Sequence, residues 1–176
     1  MKRIEGWDYV TISEICETIT DYVANGSFAS LKENVKYLKE RAYAILIRVT
    51  DYSKGFNGPF IYIDKHAYEF LRKTKVFEGD IIVGNVGSIG LAFEAPKLDL
   101  PLSIAPNALL VRSKARNRFL FFLLLSPLFQ NHIRLISTKS AQPKFNKTQF
   151  RNIVIPYPPL PELFPVSLIR TSWTCN

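Results

Sequence analysis

The sequence predicts an α+β fold: a single domain in which a twisted, mostly antiparallel β-sheet carries loops and flanking helices pack beside it. Three observations predict it. With 47% hydrophobic, 13% aromatic and 22% charged residues in 176, the chain has the composition of a folded domain with one core. Short β-branched runs recur between Gly- and Pro-rich turns through the first two thirds of the sequence. Helical composition then dominates from Asn117 to Ile136.

Val10 and Ile12 alternate with polar residues as in a strand, and Thr11-Ile12-Ser13-Glu14 has the pattern of a capping box that opens a helix over 14–18. Asn25-Gly26-Ser27 marks a turn, and Phe28 to Lys39, polar and without clear period, reads mostly as surface loop. Tyr43 to Thr50 is a strand with Ile45, Ile47 and Val49 on one face. After the Phe56-Asn57-Gly58-Pro59 turn come a strand, Phe60 to Ile63, and a helix capped by Asp64 that runs to Lys73. Ile81-Ile82-Val83 and Leu91-Ala92-Phe93 are strands joined through the glycine-rich Gly84 to Gly90 turn. Ala108 to Val111 adds a strand beyond Pro96, Pro101 and Pro106.

Asn117 to Leu125 and Leu128 to Ile136 are helices, with Ser126-Pro127 between them. Thr148 to Asn152 forms a helical turn, and Ile153-Val154-Ile155 is the last strand. Pro156, Pro158, Pro159 and Pro161 then exclude regular structure and mark a boundary. The expected organisation is a domain over 1–162 and an irregular tail over 163–176.

Composition excludes several classes of function. Cys16 and Cys175 are too far apart in sequence for a CxxC pair, and they point to a reducing, cytoplasmic setting. The longest apolar run, Phe119 to Leu125, is far short of the roughly 20 residues that span a bilayer, so no membrane role is expected. His66 and His132 lack metal-helix spacing, and no cofactor is called for. Gly84, Gly87 and Gly90 lack the lysine and hydroxyl of a phosphate-cradling loop, which leaves a tight strand-to-strand turn.

The net charge of +8 is segmental. Arg112 to Arg151 holds nine basic residues and no acidic one, so the rest of the chain is nearly neutral. A stretch without carboxylates can hold nucleic acid but offers no ligand to a catalytic metal. Within it, Lys139, Lys144 and Lys147 suit phosphates, while Ser140, Gln142 and Asn146 have side chains that hydrogen-bond base edges. Phe145 and Phe150 are placed to anchor the loop to the core. Asn85 and Ser88 in the glycine turn, and Lys54 and Asn57 after the long strand, complete the candidate DNA-binding set.

A series of motifs accompanies these features: Trp7, Ile12-Ser13-Glu14-Ile15, Gly26-Ser27, Ile47-Arg48-Val49-Thr50-Asp51, Gly79-Asp80-Ile81-Ile82, Ser88-Ile89-Gly90, Asn107, and Ile155-Pro156-Tyr157-Pro158-Pro159-Leu160-Pro161-Glu162. In order and spacing the chain resembles the target recognition domain of the specificity (S) subunit of Type I restriction-modification systems. The resemblance implies a non-catalytic protein that selects a sequence in double-stranded DNA while methyltransferase (M) subunits, and through them restriction (R) subunits, do the chemistry. It transfers no base-contacting residue, because those sit in the family's variable loops.

The chain departs from the family in carrying one recognition domain instead of two. Leu163-Phe164-Pro165 also replaces the start of the spacer helix. These departures raise three alternatives: a half-subunit that lacks its dimerisation element, with a second half-subunit as partner, a recognition domain detached from a fused restriction-methylation enzyme, and a truncated or frame-shifted remnant that does not assemble. General RNA binding would require aromatic stacking platforms, which the sequence does not place.

Overall fold

Short apolar strands build three sheets instead of the single twisted sheet expected, as shown by a computed structural model that describes residues 5–114 and 117–159. The first sheet is wholly antiparallel, in the order β2 (Cys16–Asp21), β9 (Ala108–Ser113), β6 (Ile81–Gly84), β7 (Ala92–Glu94). The second has the order β4 (Tyr62–Ile63), β3 (Ala44–Ile47), β8 (Leu102–Ile104), β5 (Lys75–Val76), and its β3–β8 pair is parallel. A two-stranded ribbon joins β1 (Asp8–Thr11) to β10 (Val154–Tyr157), with Asp8 opposite Tyr157.

Strand period two distributes the core between layers. Ile81 and Val83 of β6 pack with Leu120 and Leu124 of α5 (Asn117–Leu125), Phe129 and Ile133 of α6 (Pro127–Ile136) and Phe150 of α7 (Lys147–Arg151). Ile82, on the opposite face, packs with Ile45, Ile47 and Ile104 of the second sheet. Ala44 and Leu46 of β3 face outward again, onto Leu31 of α2 (Phe28–Asn34) and Ala67 of α4 (Lys65–Phe70). The order is helices, sheet, sheet, helices, and both central strands are buried on two faces.

Local chemistry explains where the elements begin and where they depart from expectation. The capping box belongs to α1 (Ile12–Ile15): the Thr11 backbone N–H donates to Glu14 Oε2 at 2.5 Å, and the chain extends into β2 at Cys16 instead of continuing as a helix to 18. The segment expected to be mostly loop contains α2, started by Ser27 Oγ accepting from the Ser30 N–H; Leu31 alone is buried from it, so no apolar period was available. The strand expected to reach Thr50 stops at Ile47. Asp51, 2% exposed, accepts from the Arg48 backbone N–H at 2.8 Å and from its guanidinium, which turns Val49 to Ser53 into α3 (Val49–Ser53). Arg48 also donates to the Pro59 carbonyl.

The strand expected over Phe60–Ile63 is reduced to β4. The Asp64-capped helix ends at Phe70, with a 3-10 turn over Arg72–Thr74. Pro156, expected to exclude regular structure, lies within β10 opposite Tyr9; a two-stranded ribbon leaves each strand one unpaired edge that proline tolerates. Ser126 caps α6, which starts at Pro127, one residue before the expected Leu128, with the proline in its first turn. The 163–176 tail lies outside the described residues.

Gly79-Asp80 is a structural pin. Asp80, 3% exposed, accepts from Arg112 Nε and Nη2 at 2.7 and 2.5 Å and from the Phe77 backbone N–H, and Asn117 Nδ2 donates to the Gly79 carbonyl. Among the described residues no single helix is long and apolar enough to cross a membrane, and α5 and α6 meet at a 70° bend.

Candidate nucleic-acid interface

The β6–β7 turn is as tight as its glycines predict. Gly84 N–H donates to Leu91 O, Gly90 N–H donates back to Gly84 O, and a Cβ on Gly84 would lie 2.3 Å from the Ser88 carbonyl oxygen. From outside, Gln130 of α6 clamps the turn, its Nε2 donating to Gly90 O at 2.9 Å and to Leu124 O at 2.7 Å. Nothing in the sequence singled out Gln130, because a polar residue on a helix carries no sign of which backbone it meets.

Two of the candidate groups meet at this turn. Gly87 N–H donates to Pro143 O, Phe145 N–H donates to Asn85 O at 3.1 Å, and Asn85 Nδ2 donates to Phe145 O at 3.3 Å. Val86 and Lys144 form a β-bridge. The loop is closed on itself by Thr138 N–H to Lys144 O and Ser140 Oγ to Gln142 O. Phe145, 3% exposed, stacks on Phe150, which is fully buried, so both rings anchor the loop as expected. The result is one edge on which Ser88, Lys139, Ser140, Gln142 and Lys144 are exposed.

The remaining candidates are differently placed. Asn146 caps α7, its Oδ1 accepting from the Gln149 N–H at 2.8 Å while Gln149 Oε1 accepts from the Asn146 N–H. Lys147 Nζ pairs with Asp21 at 3.0 Å. Asn85 is half-buried, and its Oδ1 is sealed from solvent without a partner among the described residues. Lys54 and Asn57 are exposed beyond the C-terminal end of α3, the helix whose Val49 approaches Gly84.

Folding also redistributes the charge. Of the nine basic residues from Arg112 to Arg151, Arg112 pairs with Asp80, Arg118 with Glu94 and Lys147 with Asp21, while Arg151 donates to the Ile19 carbonyl and Arg134 to Asn131. The Asp80 carboxylate hydrogen-bonded to Arg112 pushes that guanidinium above its ordinary range. Arg116 lies outside the described residues. Lys139 and Lys144 on the loop, and Lys114 just beyond β9, are exposed without an ion-pair partner among the described residues. Among the described residues no group of three His, Cys, Asp or Glu side chains could hold a metal, and His66 faces Asn34 Oδ1 at 2.9 Å.

Comparison with known proteins places this architecture. The chain is similar to the HsdS subunit from Thermoanaerobacter tengcongensis, with a TM-score of 0.58 and 18% identity over 95% of this chain and 37% of that one. It is similar also to a chain from a structure of complex assembly and conformational transition of the type I R-M system, with a TM-score of 0.61 and 18% identity over 95% of this chain and 38% of that one. It therefore spans under two fifths of the length of either chain, and at this identity the likeness is one of fold. No curated protein sequence matches it. The profile of the Type I restriction modification DNA specificity domain matches residues 4–162, about nine tenths of the sequence, and the chain belongs to that family.

Proposed function

We propose that the chain is a non-catalytic reader of double-stranded DNA sequence, working as a recognition domain of a Type I restriction-modification specificity subunit and directing methylation and restriction by M and R subunits in the cytoplasm. A second half-subunit supplies the other part of a split site. The observation that carries this reading is the hydrogen-bonded junction of the glycine turn with the 137–146 loop, which joins two segments without carboxylates of their own into one polar, lysine-bearing edge. Lys139 and Lys144 there, with Lys54 beyond α3, contact phosphates. Gln142 pairs with a base edge, whereas the Asn146 and Lys147 side chains are engaged within the fold and help hold the loop.

Duplex binding by the full chain across a salt series tests the proposal. Three free lysines predict a log–log slope of about −2.7, and replacing Lys139 and Lys144 by alanine reduces its magnitude by about 1.8. Binding that ignores salt refutes phosphate contact. Co-purification with an M subunit tests assembly, and its absence refutes the partner assignment.

A further inference from the structure

Beside the junction runs an open cleft walled by Arg48 and Thr50 at the start of α3, Val86 and Ser88 of the turn, and Asn107 just before β9. Its floor is apolar, formed by Leu46, Ile61 and Ala105. Thr50, Ser88 and Asn107 are exposed, and no side-chain hydrogen bond among the described residues engages them. Asn107 holds a left-handed backbone at φ 70°, and its carbonyl accepts from the Asn85 N–H at 3.1 Å, so its place on the rim is set by the same turn. No Asp or Glu lines the cleft, and Asp51 behind it is buried and held by Arg48.

The shape decides what such a surface can take. Base edges lie at the bottom of a groove and are reached by elements that project into it, as the neighbouring exposed loops can. What protrudes from a duplex is the ridge of deoxyribose and phosphate. An apolar floor suits the C–H face of the sugar, and a rim of hydroxyl and amide donors free of carboxylates suits phosphate oxygens.

We propose that this cleft seats the sugar–phosphate backbone of one DNA strand, with Thr50 Oγ1, Ser88 Oγ and Asn107 Nδ2 donating to phosphate oxygens and taking no part in the choice of sequence. The proposal rests on the DNA-reading function above and assigns Ser88, a member of the candidate DNA-binding set, to backbone contact.

Asn107→Asp tests it, because aspartate keeps the shape and tolerates the left-handed backbone while setting a negative charge where the phosphate lies. With a pool of random-sequence duplexes and the full chain, N107D binds every sequence about tenfold or more weakly, with the preferred sequence unchanged. Thr50→Val combined with Ser88→Ala weakens binding uniformly by a few-fold and leaves the salt slope intact, since neutral donors displace no counterions. Should N107D fail to fold by thermal melting, Asn107→Gly and the double variant carry the same readout. Unchanged affinity in the variants overturns the proposal, and so does a shift in the preferred sequence, which would make the amide a base reader. A wild-type chain that binds no duplex refutes the DNA-reading function itself; a wild-type chain that binds while its variants match it refutes the cleft alone.

Discussion

Replacing Phe145 by alanine separates the loop's anchorage from its charge. The ring is 3% exposed and stacks on Phe150 at 5.9 Å between centroids. A buried aromatic side chain removes about 150–250 Å² from water, which at about 25 cal/mol per Å² amounts to about 4–6 kcal/mol. Residual burial in the unfolded chain lowers this by roughly 10–40%, to about 2–5 kcal/mol, which spans the about 3–5 kcal/mol typical of Phe→Ala. For a chain of this size, a loss near 4 kcal/mol lowers Tm by roughly 8–16 °C.

The backbone of the same residue bonds to Asn85 in both directions, so the loop also parts from the glycine turn and duplex affinity falls at temperatures where F145A is still folded. Lys144→Ala behaves oppositely, changing stability by less than about 0.5 kcal/mol while reducing the salt slope by about 0.9. Circular-dichroism melts and duplex titrations read both quantities. F145A melting within about 3 °C of wild type refutes the anchoring role, and F145A destabilised yet binding with wild-type affinity refutes the link between loop seating and DNA.

Two glycines of the turn separate space from conformation. Gly84→Ala forces a Cβ against the Ser88 carbonyl and is expected to lose about 1–3 kcal/mol in thermal melts; Gly87→Ala has open space around it and loses only the about 1–2 kcal/mol of its positive φ. Burial pushes the Cys16 thiol up to about 12, so in a Cys175→Ser background the native chain is expected to resist a thiol reagent at neutral pH until it unfolds. The Thr11 backbone N–H holds the Glu14 carboxyl below its ordinary value of 4.5. Its stabilisation is therefore present above that value and lost as the pH falls through the lower folded-state value, so wild type and Glu14→Gln should differ in Tm at neutral pH and converge in acid.

Elements declared by local chemistry were legible in the sequence, and those made by distant partners were not. Ser126-Pro127 announces α6, and Gly84 to Gly90 announces a strand-to-strand turn, because cap and turn preferences act within a few residues. Lys75–Val76 and Leu102–Ile104 carry too few residues to show a period and become strands only by pairing with each other, with β8 also lying along β3. Val49 belongs to a β-branched run, yet Asp51 gathers the Arg48 N–H and guanidinium and bends that run into a helix.

The candidate interface divides in the same way. Side-chain type placed Lys139, Gln142 and Lys144 on an exposed loop, but sequence could not show that Asn146 would become a cap or that Lys147 would meet Asp21 across 126 positions. The count of nine basic residues overstated the available field for the same reason, since acids elsewhere in the chain neutralise part of it.

The β1–β10 ribbon also determines how the domain bears load. Asp8 and Tyr157 face each other at one end of an antiparallel ladder, so tension pulling them apart acts on one rung at a time instead of shearing all rungs together. Tension applied at Asp8 and Tyr157 therefore opens the ribbon from Asp8 toward Thr11 and, because Ile155 is buried with Ile81 and Val83, draws on the core beneath the first sheet as it goes.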